Sequence, residues 1–376
     1  MDGTPVLQEC AVTIVASTPA RPTNRSAVLL VPTALFATLL ATAGRAAPPA
    51  APDANGTILL REQDFVRQGV RVTTLTPDGK TETGFATPKG LPDTFTPPFE
   101  VFRSPDGKRA TVRGCDTRPR KGDGTDPPSF PTVLCSFPDG KGTTPIDGDL
   151  DVVCWSPDGG TLVAREMPPD DTSGAPVGKF VSIDLKTGKR TALPIPGGHW
   201  LHDRSPDGKL FLTAGKDPAG KLKGKRLFLL DADGTVVRPL TDESLVGGPA
   251  RFGPDGKWVL LRAYPLAAKG APGLPAWKLY RTAIENPKPE LLTDVPDSVL
   301  VGGFALSPDG KWVAFDRGPR VPVARNPKKV LDPDAETDEV EFAVVVVGSD
   351  GKNPRKIRSV KTKKPFSMSL DVVDWR

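Results

Sequence analysis

A four-residue segment, Ser-Pro-Asp-Gly, stands at Ser104, Ser156, Ser205 and Ser307, with the variant Gly-Pro-Asp-Gly at Gly253. The five copies are 52, 49, 48 and 54 residues apart, and a period of that length in a soluble chain signals a solenoid, a propeller or an array of repeats. The segment is itself a turn. Proline at its second position presets φ, aspartate tolerates the conformation that follows, and glycine supplies the positive φ on which the chain reverses.

A short apolar strand follows each copy: Arg109-Ala110-Thr111-Val112, Thr161-Leu162-Val163-Ala164, Leu210-Phe211-Leu212, Trp258-Val259-Leu260-Leu261 and Trp312-Val313-Ala314-Phe315. Apolar residues do not recur at helical spacing, so these segments read as strands. Further along each period a second strand pair hinges on another glycine turn, as at Lys186-Thr187-Gly188, Asp231-Ala232-Asp233-Gly234 and Gly348-Ser349-Asp350-Gly351. Four strands per period make one propeller blade.

Ahead of the five periods, the stretch from Thr57 to about Gly90 has strand-turn-strand character around Ile58-Leu59-Leu60, Gly69-Val70-Arg71-Val72 and Thr76-Pro77-Asp78-Gly79, but lacks a first strand. The far end of the chain supplies one, because Leu370-Asp371-Val372-Val373-Asp374-Trp375 nearly repeats Leu150-Asp151-Val152-Val153-Cys154-Trp155. The expected fold is an all-β, six-bladed β-propeller over residues 57–376, its ring closed by the C-terminal strand joining the N-terminal blade. Closure of this kind removes the open strand edges.

The Ser-Pro-Asp-Gly-Lys turn with its apolar strand, and the later Asp-x-Asp-Gly hairpin, resemble the WD40-like repeats of the TolB-type six-bladed propellers over roughly Thr57 to Arg376. The resemblance implies the fold and leaves the activity open, since one fold hosts many functions. The chain departs from TolB itself, in which an α/β domain precedes the propeller. The repeats are also similar to those of prolyl-oligopeptidase-type peptidases, where the propeller is joined to a hydrolase domain, but no Gly-x-Ser-x-Gly nucleophile elbow occurs here.

Residues Ala27 to Ala43 form an apolar stretch preceded by Arg21 and Arg25 and ended by Ala41-Thr42-Ala43, the pattern of a secretory signal peptide. Residues 1–46 are therefore expected to be a signal peptide or leader and 47–56 a Pro- and Ala-rich linker; an uncleaved anchor and a buried core segment are the alternatives. The expected location is periplasmic or secreted, with no stable membrane span after cleavage. Cys115, Cys135 and Cys154 remain in the mature chain, an odd number without a Cys-x-x-Cys metal pattern, and are expected to be buried free thiols in preference to a Cys115–Cys135 bridge. A net charge of +5 over 376 residues does not point to nucleic acid. The densest basic run, Lys352 to Lys364, reads as a solvated face.

Strand order sends the Pro-Asp-Gly turns to one side of the propeller and the long connections, from Asp116, Glu166, Gly215, Tyr264 and Gly318 onward, to the other. Long loops carry function, so the binding surface is expected on the long-loop face. Counting back five positions from each turn gives Phe99, Asp151, Trp200, Gly248, Gly302 and Asp371. The candidate binding residues there are Trp200, His199, Asp151 and Asp371, two carboxylates and an aromatic group that could ring a ligand. Two positions back stand Phe102, Cys154, Asp203, Arg251, Ala305 and Asp374, where Asp203 and Arg251 are expected to pair across a blade junction in a structural role. The two histidines, His199 and His202, are three apart in one strand and point to opposite faces, so they cannot share a metal.

No metal, cofactor or catalytic residue is expected. The functional expectation is a non-catalytic exported binding module or scaffold, monomeric, for a protein or cell-envelope partner. That partner docks on Trp200 and the loop from Gly318 to Thr337, the loop having acidic and basic residues suited to rim contacts. The alternative is a propeller enzyme of lactonase or polysaccharide lyase type using an acidic channel mouth.

Overall fold

Middle strands such as Leu227-Phe228-Leu229-Leu230 and Val344-Val345-Val346-Val347 are buried on both faces, which is why their sequences are continuous apolar runs instead of alternating ones. In chain order the strands are β1 (Ile58–Asp64), β2 (Gly69–Leu75), β3 (Glu82–Gly84), β4 (Phe95–Arg103), β5 (Arg109–Asp116), β6 (Pro131–Ser136) and β7 (Thr144–Trp155). They continue with β8 (Thr161–Glu166), β9 (Lys179–Asp184), β10 (Arg190–Ala192), β11 (Trp200–Arg204), β12 (Leu210–Lys216), β13 (Lys225–Asp231) and β14 (Val236–Pro239). The last are β15 (Leu245–Phe252), β16 (Trp258–Pro265), β17 (Lys278–Ala283), β18 (Glu290–Leu291), β19 (Val299–Leu306), β20 (Trp312–Pro319), β21 (Val340–Gly348), β22 (Arg355–Thr362) and β23 (Met368–Trp375). This computed structural model describes residues 55–64, 69–88, 95–116, 130–167, 178–266, 276–293, 295, 299–319, 338–363 and 368–376. The leader and nearly all of the linker lie outside them.

The described residues form an all-β propeller whose sheets are antiparallel meanders. Four sheets have four strands, in the orders β23-β1-β2-β3, β11-β12-β13-β14, β15-β16-β17-β18 and β19-β20-β21-β22. The fifth runs unbroken through seven strands, β10-β9-β8-β7-β6-β5-β4. Its continuity comes from β7, whose first residues Thr144 to Ile146 pair with β6 while Leu150 to Trp155 pair with β8. Gly148, at a φ of 82°, lies between the two halves.

The C-terminal strand closes the ring as expected. β23 pairs antiparallel with β1 from Ile58↔Trp375 to Asp64↔Met368. Where the other sheets have a Pro-Asp-Gly turn, Thr57 and Arg376 exchange backbone hydrogen bonds of 2.5 and 3.0 Å. Apolar clusters fill the seams between neighbouring sheets. Ile58, Leu60, Leu370 and Val372 meet Ala305, Ala314 and Val344 at the closure, and Leu212 and Leu229 meet Val259 and Leu261 on another side.

In four of the five repeated turns the serine hydroxyl donates to the aspartate carboxylate at 2.5 to 2.7 Å and accepts the N–H of the residue opening the next strand at 2.8 to 3.0 Å. The aspartate thus closes the turn from within, and the hydroxyl and a backbone N–H hold the carboxyls of Asp106, Asp158 and Asp207 below the usual range. Gly253 replaces serine where the Trp258 indole lies over the turn, so that a Cβ there would strike the ring.

The basic run on β22 is largely engaged. Arg358 binds Glu62 at 2.5 Å and also Glu82, Lys356 binds Glu341 at 2.6 Å, and Lys361 binds Glu339 at 3.1 Å. Cys135 and Cys154 are free. In the register of β5 and β6, Cys135 lies opposite Ala110, five positions along the strand from Cys115.

Candidate functional site

The inner strands finish together on the turn face of the propeller. Phe102, Cys154, Asp203, Arg251, Ala305 and Asp374, which share one position two residues before the turns, all line a single axial cavity of about 300 Å³. The prolines of the five turns, Pro105, Pro157, Pro206, Pro254 and Pro308, are at the cavity's edge. Trp155, Phe252, Phe304 and Trp375 add aromatic wall. Four arginines, Arg103, Arg204, Arg251 and Arg376, border the space against two aspartates, Asp203 and Asp374.

These charges are not equally committed. Arg103 is 2% exposed, bonds Asp374 through Nε at 2.7 Å and donates to Thr57 Oγ1 and the Thr57 carbonyl at 2.7 and 2.6 Å. Arg204 donates through Nε to the Gly208 carbonyl at 2.9 Å. Asp203 accepts the Phe252 N–H at 2.9 Å, and Arg251 donates to the His202 carbonyl. The expected Asp203–Arg251 ion pair is therefore replaced by two reciprocal bonds, each side chain reaching the backbone of the other's strand. The physical reason is a bulge. β11 skips from Leu201 to Asp203 in its register with β12, which takes the His202 carbonyl out of the ladder and leaves it to be satisfied from outside. Burial pushes the Asp203 carboxyl up, with the Arg251 charge and the Phe252 N–H opposing it.

Trp200, Asp151 and Asp371, singled out by sequence, stand on the inner strands three residues before the layer that lines the cavity. Asp151 pairs across the strands with Arg165, which binds it at 2.9 Å, and Asp371 pairs with Arg61 at 2.8 Å. The Arg165 guanidinium also stacks on Trp200, 4.1 Å from the ring centroid. Trp200, Asp151 and Asp371 thus belong to arginine clasps, and the two carboxylates are already neutralised. His199 does not line the cavity. It is 2% exposed, with Nδ1 3.1 Å from Thr213 Oγ1 and Nε2 2.7 Å from the Lys216 carbonyl, so its ring is spent inside the sheet and unavailable to a ligand. The loop beyond Pro319 that was paired with Trp200 as a docking surface lies outside the described residues.

Sequence reasoning missed the arginines. Arg113, Arg165 and Arg262 each stand nine residues after the first residue of a turn, and Asp316 takes that place after Ser307; aligning second strands as well as first would have exposed the column. Glycines make room for it. A Cβ at Gly248 would meet the Trp277 ring and one at Gly302 the Asp316 carboxyl, so these side chains lie over the inner strands only because those positions are bare. Arg262 lies 4.8 Å from the Trp277 centroid and donates to the Gly302 carbonyl at 2.7 Å. Asp316 accepts the N–H groups of Gly303 and Val372, both at 2.7 Å. Burial, with the nearby Asp371 charge, pushes its carboxyl up to about 8.

Similarity to solved structures bears on the fold. TolB from Acinetobacter baumannii superposes with a TM-score of 0.56 at 16% identity, over 86% of this chain and 67% of that one. The chain has a TolB-type propeller fold. A putative TolB from Agrobacterium tumefaciens matches with a TM-score of 0.49 at 16% identity over 86% of this chain and 99% of that one. An oligogalacturonate lyase from Vibrio parahaemolyticus matches with a TM-score of 0.45 at 14% identity over 80% and 78%. No family model and no curated protein matches the sequence. Among the described residues of this TolB-type propeller, no group of three or more His, Cys, Asp and Glu is placed to hold a metal ion.

Proposed function

We propose that the protein is an exported, monomeric, non-catalytic propeller of six blades that binds a protein or cell-envelope partner, and that the partner inserts into the axial cavity on the turn face. Six inner strands bordering one cavity, with β7 serving two blades, support the blade count. The observation that carries the binding reading is the cavity's make-up. Aromatic and proline walls surround a few guanidinium groups, the composition by which a concave site holds an apolar segment and orients its polar ends. The enzyme reading has less support, because the two carboxylates it would use, Asp371 and Asp151, are paired with Arg61 and Arg165.

The test is capture from an envelope fraction with the intact chain and with Pro206→Trp, which adds bulk at the exposed edge of the cavity. Loss of a specific partner in the folded variant supports the reading. Retained capture moves the site elsewhere, and turnover of a sugar lactone or acidic oligosaccharide replaces the reading with the enzyme one.

A further inference from the structure

The three residues that lead into β1 are held by the wall of the axial cavity. Trp375 donates its indole N–H to the Asn55 carbonyl at 3.1 Å, Arg376 exchanges backbone hydrogen bonds with Thr57, and Arg103 donates to Thr57 Oγ1 and to the Thr57 carbonyl. Trp375, Arg376 and Arg103 all line the cavity. Gly56 allows the close passage: its φ is 93°, and a Cβ there would strike the Arg376 carbonyl. The chain in front of Asn55 therefore starts from the cavity's border.

The six residues in front of Asn55 match the cavity in chemistry. They read Pro49-Ala50-Ala51-Pro52-Asp53-Ala54 and follow the expected leader, residues 1–46. Prolines favour an extended polyproline form that loses little entropy on docking, and grooves lined by aromatic rings are its usual receptors. The cavity offers Trp155, Phe252, Phe304 and Trp375. At roughly 3.1 Å per residue, six such residues reach roughly 19 Å, enough to cross a cavity of about 300 Å³ from its border. Charge agrees with shape. Four arginines face two aspartates, Asp203 and Asp374, around the cavity, which therefore takes an added carboxylate in preference to an added cation. Asp374 is bound to Arg103 and Asp203 accepts the Phe252 N–H, whereas Arg204 and Arg251, among the described residues, hydrogen-bond only to backbone carbonyls. The segment brings a single charge, the Asp53 carboxylate.

We infer that residues 49–54 fold back from Asn55 into the axial cavity and fill it as an internal ligand. The docking stands on the contacts of Asn55, Gly56 and Thr57 and on the segment's composition; only its consequence, that an external partner must displace the segment, rests on the function proposed above. The test compares the full chain with a full-length variant carrying Pro49→Gly, Pro52→Gly and Asp53→Lys, changes that precede β1 and spare the sheets. Two readouts follow the cavity itself. One is the rate at which N-ethylmaleimide alkylates Cys154, a free thiol that lines it, and the other is the indole N–H NMR signal of Trp155, assigned with Trp155→Phe.

A segment docked in about nine molecules of ten slows the thiol about tenfold. The variant is expected to react faster by at least that factor and to shift the Trp155 signal, while Cys135 and Trp277, which do not line the cavity, keep their rate and signal. Equal Cys154 rates in the two proteins overturn the docking. If the thiol reacts in neither, a shifted Trp155 signal upholds the docking and an unmoved one overturns it. Envelope capture separates the two readings: a variant with a freed Cys154 that captures no more partner than the parent retires displacement by a partner, while the docking of the segment holds.

Discussion

Arg103 and Asp374, 271 residues apart, form a buried pair in which the arginine also grips both polar groups of Thr57. One guanidinium thereby fastens β4 to β23 and to the segment entering β1, so the closure of the ring rests on three chain segments at once. Removing one partner strands a charge in a dry site and is expected to cost about 3–5 kcal/mol. Arg103→Leu and Asp374→Leu should each lower stability by that order, with the double variant well short of the sum. Urea melts of the four proteins measure it; additive effects would mean the pair does not hold the closure.

A chain ending at Pro365 loses β23, and with it the buried Leu370, Val372 and Trp375. Two strand edges and an apolar seam are then exposed. The truncated protein is expected to melt at far lower temperature with reduced cooperativity, as followed by calorimetry. A melt like that of the full chain would contradict the role assigned to this strand.

Gly253→Ser restores the repeated turn sequence yet is expected to destabilise, by roughly 1–3 kcal/mol as for other overpacking changes, because the new side chain meets the Trp258 ring. At another turn, Ser205→Ala removes the hydroxyl bonded to Asp207 and the Leu210 N–H and should cost about 1 kcal/mol. Thermal melts of the two variants check both signs.

Asp316 makes stability depend on pH. Burial pushes its folded carboxyl from the usual 3.8 up to about 8, so between those limits the folded state holds the proton that the unfolded state has lost. Stability contributed by the protonated group is full below the unfolded value and declines as pH rises toward about 8. Burial and Asp371 favour this proton, while Arg262 and the N–H groups of Gly303 and Val372 oppose it. Asp316→Asn keeps an acceptor for both N–H groups and should flatten the decline, gaining on the parent protein as pH rises from 5 to 9. Chemical melts across that range test the sign, and parallel curves for the two proteins would sink it.

The turn residues and the period of the repeat were legible along the chain because a Pro-Asp-Gly turn is a local object: proline fixes φ, glycine reverses the chain, and the apolar runs on either side name the strands. The partnership of β23 with β1 could be read as well, since Leu370 to Trp375 nearly copies Leu150 to Trp155. Counting back from the turns even placed six residues in one layer of the axis, and they do line one cavity. What that count could not say was which neighbour each side chain would take. His199 went into the sheet because Thr213 and the Lys216 carbonyl were there to satisfy it, and Asp203 met a backbone N–H instead of Arg251 because a bulge at His202 turned a carbonyl toward the arginine. Asp151 and Asp371 were bound by arginines on adjacent strands, and the Asp316 carboxyl and the Trp277 ring took the room left by Gly302 and Gly248. Local sequence determines turns and strands through backbone sterics and apolar periodicity; the pairing of buried charges depends on register, bulges and the packing of one blade on the next, which only the folded ring brings into being.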